Sequence, residues 1–113
     1  MLIQFQETKM AAVIIHYGLQ PINFDHKQIT SAQKMQGERL FNSGQIFDVK
    51  EVRKHGFPAE IQAKCFSTIV NGQFSIRMCL NSERKVTIAQ CQCQYGLTGH
   101  CKHLFALMLH LNR

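Results

Sequence analysis

From residue 45 onward the chain alternates between apolar and polar side chains. Phe74, Ile76, Met78 and Leu80 are separated by Ser75, Arg77 and Cys79, the period-two pattern of a strand with one face toward a core and one mainly polar face. Runs of similar character at 45–52, 60–70 and 85–91, each bounded by turn residues, complete a predicted set of four strands in a small antiparallel sheet. The dipeptide Asn71-Gly72, in which both residues accept the positive φ of a tight turn, marks the hairpin between the second and third of these strands. In the last run, strict alternation puts Val86 and Ile88 on one face and Thr87, Ala89, Cys91 and Cys93 on the other. Two thiols therefore leave the strand on the same side.

The period changes at both ends of this region. Over 102–112, Leu104, Leu107, Met108 and Leu111 form a helical stripe, so the chain is predicted to finish on a helix buried along one side. Upstream, Thr30 and Gln33 have the spacing of a capping box and Gly44 offers a stop, which predicts a preceding helix with Met35, Leu40 and Phe41 on its apolar side. Gly37 weakens that helix by roughly 1 kcal/mol relative to alanine. Residues 1–29 hold an apolar stretch at 10–15, turn residues Gly18 and Pro21, and a polar run at 25–28. They read as an N-terminal arm, either an extra strand or an extended segment packing on a partner or on the rest of a longer protein. The expectation is an α+β domain at 30–113 preceded by this arm.

Composition narrows the class. A chain of 113 residues, 45% apolar and 18% charged, should fold, but it lies near the lower limit at which a core suffices by itself. No apolar run approaches the roughly 18 residues of a membrane span, and the 10–15 stretch has neither the basic flank nor the cleavage site of a signal peptide. An intracellular protein, nuclear rather than cytoplasmic, is the expectation. The cysteine count is odd, and three of the five fall within 91–101. That clustering fits metal ligation in a reducing compartment better than a secreted disulfide framework. Cys65 and Cys79 stand apart and read as buried thiols on strands.

The clustered cysteines come in two pairs, Cys91-Gln92-Cys93 and Cys101-Lys102-His103. Tetrahedral zinc needs neighbouring sulfurs about 3.8 Å apart, closer than an unbent strand holds residues i and i+2, so a kink is expected around Gln92 where the strand ends. Cys101 should sit at the start of the last helix, where unpaired amides and the positive end of the helix dipole favour the thiolate, with His103 approaching from the first turn. Gly96 and Gly99 in the intervening loop allow the chain to reverse. His100 is an alternative fourth ligand on spacing alone.

The pattern C-x-C, seven residues, then C-x-H on an apolar helix resembles the SWIM zinc finger, especially that of animal SWIM proteins of transposon-like or uncharacterised type. The resemblance covers roughly 45–113. It implies Cys91, Cys93, Cys101 and His103 as ligands of one structural Zn2+, which would clamp the C-terminal helix to the sheet. It also implies a module that contacts DNA or another protein in a recombination- or transposition-related setting. A closed set of four protein ligands leaves no open position for catalysis, and no carboxylate occurs within 85–113, so a binding module and not an enzyme is expected, with no small-molecule substrate. Without metal, a Cys-His nucleophile pair would become the competing reading.

The net charge of +6, reduced to +5 when three thiolates and one divalent ion are included, favours an anionic partner. Arg77, Arg84, Lys85, Tyr95 and Lys102 are the candidate nucleic-acid contacts. Tyr95 could stack a base, and Lys102 sits at a helix N-terminus able to bind phosphate. The basic residues are scattered rather than clustered, and a protein-interaction adaptor using the 1–29 arm is the alternative.

Overall fold

The computed structural model describes residues 13–16, 19–54, 56–67, 72–93 and 101–113. The architecture is α+β. In chain order the elements are β1 (Val13–His16), α1 (Ser31–Asn42), β2 (Ile46–Lys54), β3 (Glu60–Ser67), β4 (Gly72–Leu80), β5 (Val86–Cys91) and α2 (Lys102–Asn112). The strands form one antiparallel sheet in the order β1-β2-β3-β4-β5. Gly72, paired with Ser67, belongs to β4, and Asn71 of the expected turn lies outside the described residues.

One face of the sheet is the core. Ile61, Ala63 and Cys65 of β3 and Ile76, Met78 and Leu80 of β4 alternate inward and are buried, and Ile46, Val49 and Cys91 join them from the neighbouring strands. Two irregularities preserve this inward set. In β2 an extra residue sits between Phe47 and Lys50, where Asp48 takes a positive φ of 53°, and the bulge lets Ile46 and Val49 both face the core. In β5 the register steps from Leu80↔Val86 to Cys79↔Ile88, which inserts one residue. Strict alternation therefore fails there: Val86 and Ala89 both pack on the core, while Ile88 points outward and is 48% exposed.

The last helix is buried nearly all round, not along one side. Leu104, Leu107 and Leu111 pack on the sheet, while Phe105, Met108 and Leu109 pack with Ile29 and, at its edge, Phe24 and Phe41. α2 is thus a central layer, with the sheet on one side and α1 and the 22–29 segment on the other. A helix apolar on every face is stable only in such a place. α1 begins as predicted, with Thr30 Oγ1 accepting the Gln33 amide at 3.2 Å, and ends at Ser43 before Gly44 at φ +68°. Its inner track, however, runs through Gly37, with Leu40 and Phe41 partly buried, while Met35 is turned away and 57% exposed.

Residues 19–29 belong with this core. Ile22 and Ile29 are buried. The Asn112 side chain holds both backbone groups of Ile22, accepting its N–H at 2.8 Å and donating to its carbonyl at 3.1 Å. Asn23 bridges to the start of β5, donating to the Arg84 carbonyl and accepting from the Val86 amide, each at 2.9 Å. Arg84, at φ 62°, sends its guanidinium to the carbonyls of Gln20 and Pro21 and to both carboxylate oxygens of Glu51, at 2.8 and 3.1 Å. Glu51 is only 2% exposed and also accepts from Arg53 Nε at 2.7 Å. The Arg84 hydrogen bonds hold its carboxyl below the usual carboxylate range against the opposing effect of burial, and Arg53 adds to the lowering. Of the expected arm, Val13–His16 is a strand paired with β2, and 1–12 and 17–18 lie outside the described residues. No helix among the described residues is long and apolar enough to cross a membrane.

Candidate metal centre

The first pair of ligands is set by the end of β5. Cys91 is the last residue of the strand, opposite Ile76 and buried. The chain then bends at Gln92 and Cys93. Gln92 is pinned twice to Ser75 of β4: its amide donates to the Ser75 carbonyl at 3.2 Å, and its side-chain Oε1 accepts from the Ser75 amide at 2.9 Å. The bend that brings two sulfurs together is thus anchored to the neighbouring strand.

The second pair is set by the start of α2. Cys101 is the N-cap, with extended φ and ψ of −103° and 163°, and His103 lies in the first turn. The Lys102 amide between them donates to Gln33 Oε1 of α1 at 2.8 Å. Gln33 therefore does not close the capping box of its own helix. It satisfies a helix-end amide of α2. Gly37 makes the same approach possible, since a Cβ there would lie 2.7 Å from the Lys102 carbonyl oxygen and 3.0 Å from Phe105 Cδ2. Both backbone polar groups of Lys102, the residue between two ligands, are therefore positioned by α1.

These two half-sites converge. One ligand atom from each of Cys91, Cys93, Cys101 and His103 lies within 4.8 Å of every other, and all but Cys93 are buried. Phe74 packs its ring 5.3 Å from that of His103, at 57°. His103 Nδ1 is buried and has no hydrogen-bond partner among the described residues, a cost that a metal bond or a metal-ordered neighbour would remove. The hydrogen bond from the Cys91 thiol is the main cause that drives the Cys101 thiol down, against burial, with support from His103 and the Leu104 amide; Cys91 is correspondingly pushed up. Cys65, on the core face nearby, is raised to about 11 by burial and remains a neutral thiol.

The donor set can hold one metal ion. Four side chains from a strand end and a helix start supply the donors, their ligand atoms within 4.8 Å of one another against the roughly 3.8 Å separation of zinc-bound sulfurs.

The candidate nucleic-acid contacts do not form one patch. Arg77 lies on the outer face of the sheet, paired with Glu60 and donating to Gln90 at 3.2 Å. Arg84 is engaged with Glu51 and the 20–21 backbone. Lys85 is exposed at the start of β5, and Lys102 is half-buried on the helix side. Tyr95 and the alternative ligand His100 lie outside the described residues. Gln33, Gly37 and Phe74 support the centre through tertiary contacts that their local patterns, a capping-box spacing, a weak helix former and a strand position, do not announce, whereas the bend at Gln92 falls where it was expected. Compared with known proteins, the chain matches no protein-family model, and no curated protein or solved structure matches it.

Proposed function

We propose that this chain is a zinc-clamped nucleic-acid-binding module, with DNA as the first ligand to test, and not an enzyme. The observation that carries the reading is the convergence of Cys91, Cys93, Cys101 and His103 from β5 and α2. Three thiolates and one imidazole suit zinc among the common intracellular ions, and four protein ligands make its role structural. The ion would supply a cross-link between the last strand and the central helix. The likeness to the SWIM pattern and the positive net charge support DNA as partner.

The test is elemental analysis of wild type, Cys93→Ser and His103→Ala beside oligonucleotide binding at several salt concentrations. One zinc per wild-type chain, lost in both variants, with binding that weakens steeply as salt rises, is the expected result. A metal-free wild type that stays folded would refute the zinc clamp. Absence of binding to any oligonucleotide at about 50 mM salt would refute the nucleic-acid reading.

A protein-interaction role is the second reading, supported by Ile14 and Ile15 on the edge strand β1, which are 51% and 48% exposed. Deleting residues 1–18 should then abolish partner capture or self-association. The cut stops there because Ile22 and Ile29 are core residues.

A further inference from the structure

We propose that the outer face of the sheet is the surface that takes nucleic acid, and that it takes it single-stranded. The inference rests on the nucleic-acid reading above and assigns that reading a place and a substrate class.

The register places chemistry in rows across the strands. Lys50, Gln62, Arg77 and Gln90 stand directly opposite one another on β2, β3, β4 and β5. With strands about 4.8 Å apart, this row spans about 14 Å. The next row holds Phe47, Lys64 and Ser75. Phe66 is stacked on Phe47, with ring centroids 4.3 Å apart and planes within 22°, and is itself 50% exposed. A stacked aromatic pair open to solvent beside a row of cations and amides provides the two things a single strand needs, a platform for bases and charge for phosphates. The glutamines and Arg77 add donors and acceptors for base edges.

The face also carries the right charge. Beside the β2 bulge lies a depression of about 200 Å³ lined by Asp48, Lys50, Gln62, Lys64, Ser75 and Arg77. Lys50 and Lys64 share the Asp48 carboxylate at 3.8 and 3.7 Å. Such half-exposed pairs are weak, so a phosphate can take the place of the carboxylate. Lys50, Lys54, Lys64 and Arg77 outnumber Asp48 and Glu60 among the described residues of this face. Among the described residues, the exposed apolar side chains of this face are Phe66 and, on the two edge strands, Ile15 and Ile88, and its cations and amides outnumber them. A duplex would need a helix or ribbon that enters a groove, and this broad sheet face offers neither, whereas a single strand can lay unpaired bases across it.

The test is fluorescence anisotropy with thymidine and uridine oligonucleotides of about 20 residues and a duplex of the same length, using zinc-loaded full-length chain, Phe66→Ala and Lys64→Gln. Zinc content and thermal midpoint, measured in parallel, confirm that both variants are folded. The expected result is tighter binding of a single strand than of duplex, an affinity loss of at least about fivefold in Phe66→Ala, and a salt slope smaller by about 0.7 in Lys64→Gln. The two single strands report whether deoxyribose or ribose is preferred. Variants that bind like wild type would overturn the assignment of the face and leave the nucleic-acid reading standing. Duplex preference would overturn the single-strand class. A wild type that binds no oligonucleotide would overturn the nucleic-acid reading itself.

Discussion

Cys65 and Phe66 are adjacent in β3 and occupy opposite environments. Cys65 is sealed in the core on the side of the Cys/His cluster, whereas Phe66 is half-exposed on the outer face, stacked on Phe47. The same division runs through β4, where Ile76 and Met78 are buried and Ser75 and Arg77 face outward. Inner side chains hold α2 and the cluster through close packing, which tolerates little change. Outer side chains such as Gln62, Lys64, Arg77 and Gln90 are long and polar, and little of the fold depends on any one of them. With the outer face binding nucleic acid as proposed, a strand of this sheet would carry two functions at alternate residues, and substitutions should separate by parity: inner ones should move stability, outer ones binding.

The largest effect should come from the centre. Cys101→Ser or His103→Ala removes the proposed cross-link between β5 and α2 and should cost about 4 kcal/mol or more, lowering the thermal midpoint by roughly 15 °C or more in circular dichroism. An unchanged midpoint in His103→Ala would mean that the inner face holds α2 without a clamp.

Next is Glu51, an inward acid in an otherwise apolar layer. Glu51→Ala leaves Arg84, which also holds the carbonyls of Gln20 and Pro21, without its buried carboxylate partner and should cost about 3 kcal/mol, read from denaturant midpoints. Because the folded-state pKa of Glu51 is lowered, its contribution is complete above the ordinary carboxylate range and is lost as pH falls through the depressed folded value. Stability should therefore decline toward acid more steeply in wild type than in Glu51→Gln. Equal slopes would show that the Arg84 pairing contributes nothing.

Gly37→Ala should cost about 1–3 kcal/mol, because the new Cβ collides with the Lys102 carbonyl. The sign is the test, since an exposed helix glycine replaced by alanine would gain roughly 1 kcal/mol. The smallest effect belongs to the outer face: Lys64→Gln and Gln90→Ala should each change stability by less than about 0.5 kcal/mol.

Much of this contrast was legible in the sequence because period-two patterning reports one-sided burial directly. It gave the strand positions, the inward set of β4 and the two thiols leaving β5 together. The bulge near Thr87 was not legible, since an inserted residue is selected by pairing with Cys79 and Leu80, and strict alternation put Ile88 with Val86. Glu51 was hidden for a related reason: its burial depends on Arg84, which reaches it from a turn 33 residues away. Gln33 and Gly37 carried local signals, a capping-box residue and a weak helix former, whose physical meaning is tertiary. In both, the close passage of α1 over the start of α2 overrides the local rule. The 22–29 segment looked like an arm because its core residues, Ile22 and Ile29, are isolated among polar neighbours.

The central claim is that four side chains, three on sulfur and one on nitrogen, close around a single zinc ion at the inner edge of the sheet. X-ray absorption at the zinc edge on chain purified without added metal tests it most directly. The account predicts three sulfur neighbours at about 2.3 Å and one nitrogen at about 2.0 Å. A shell containing oxygen, or fewer than three sulfurs, would contradict it.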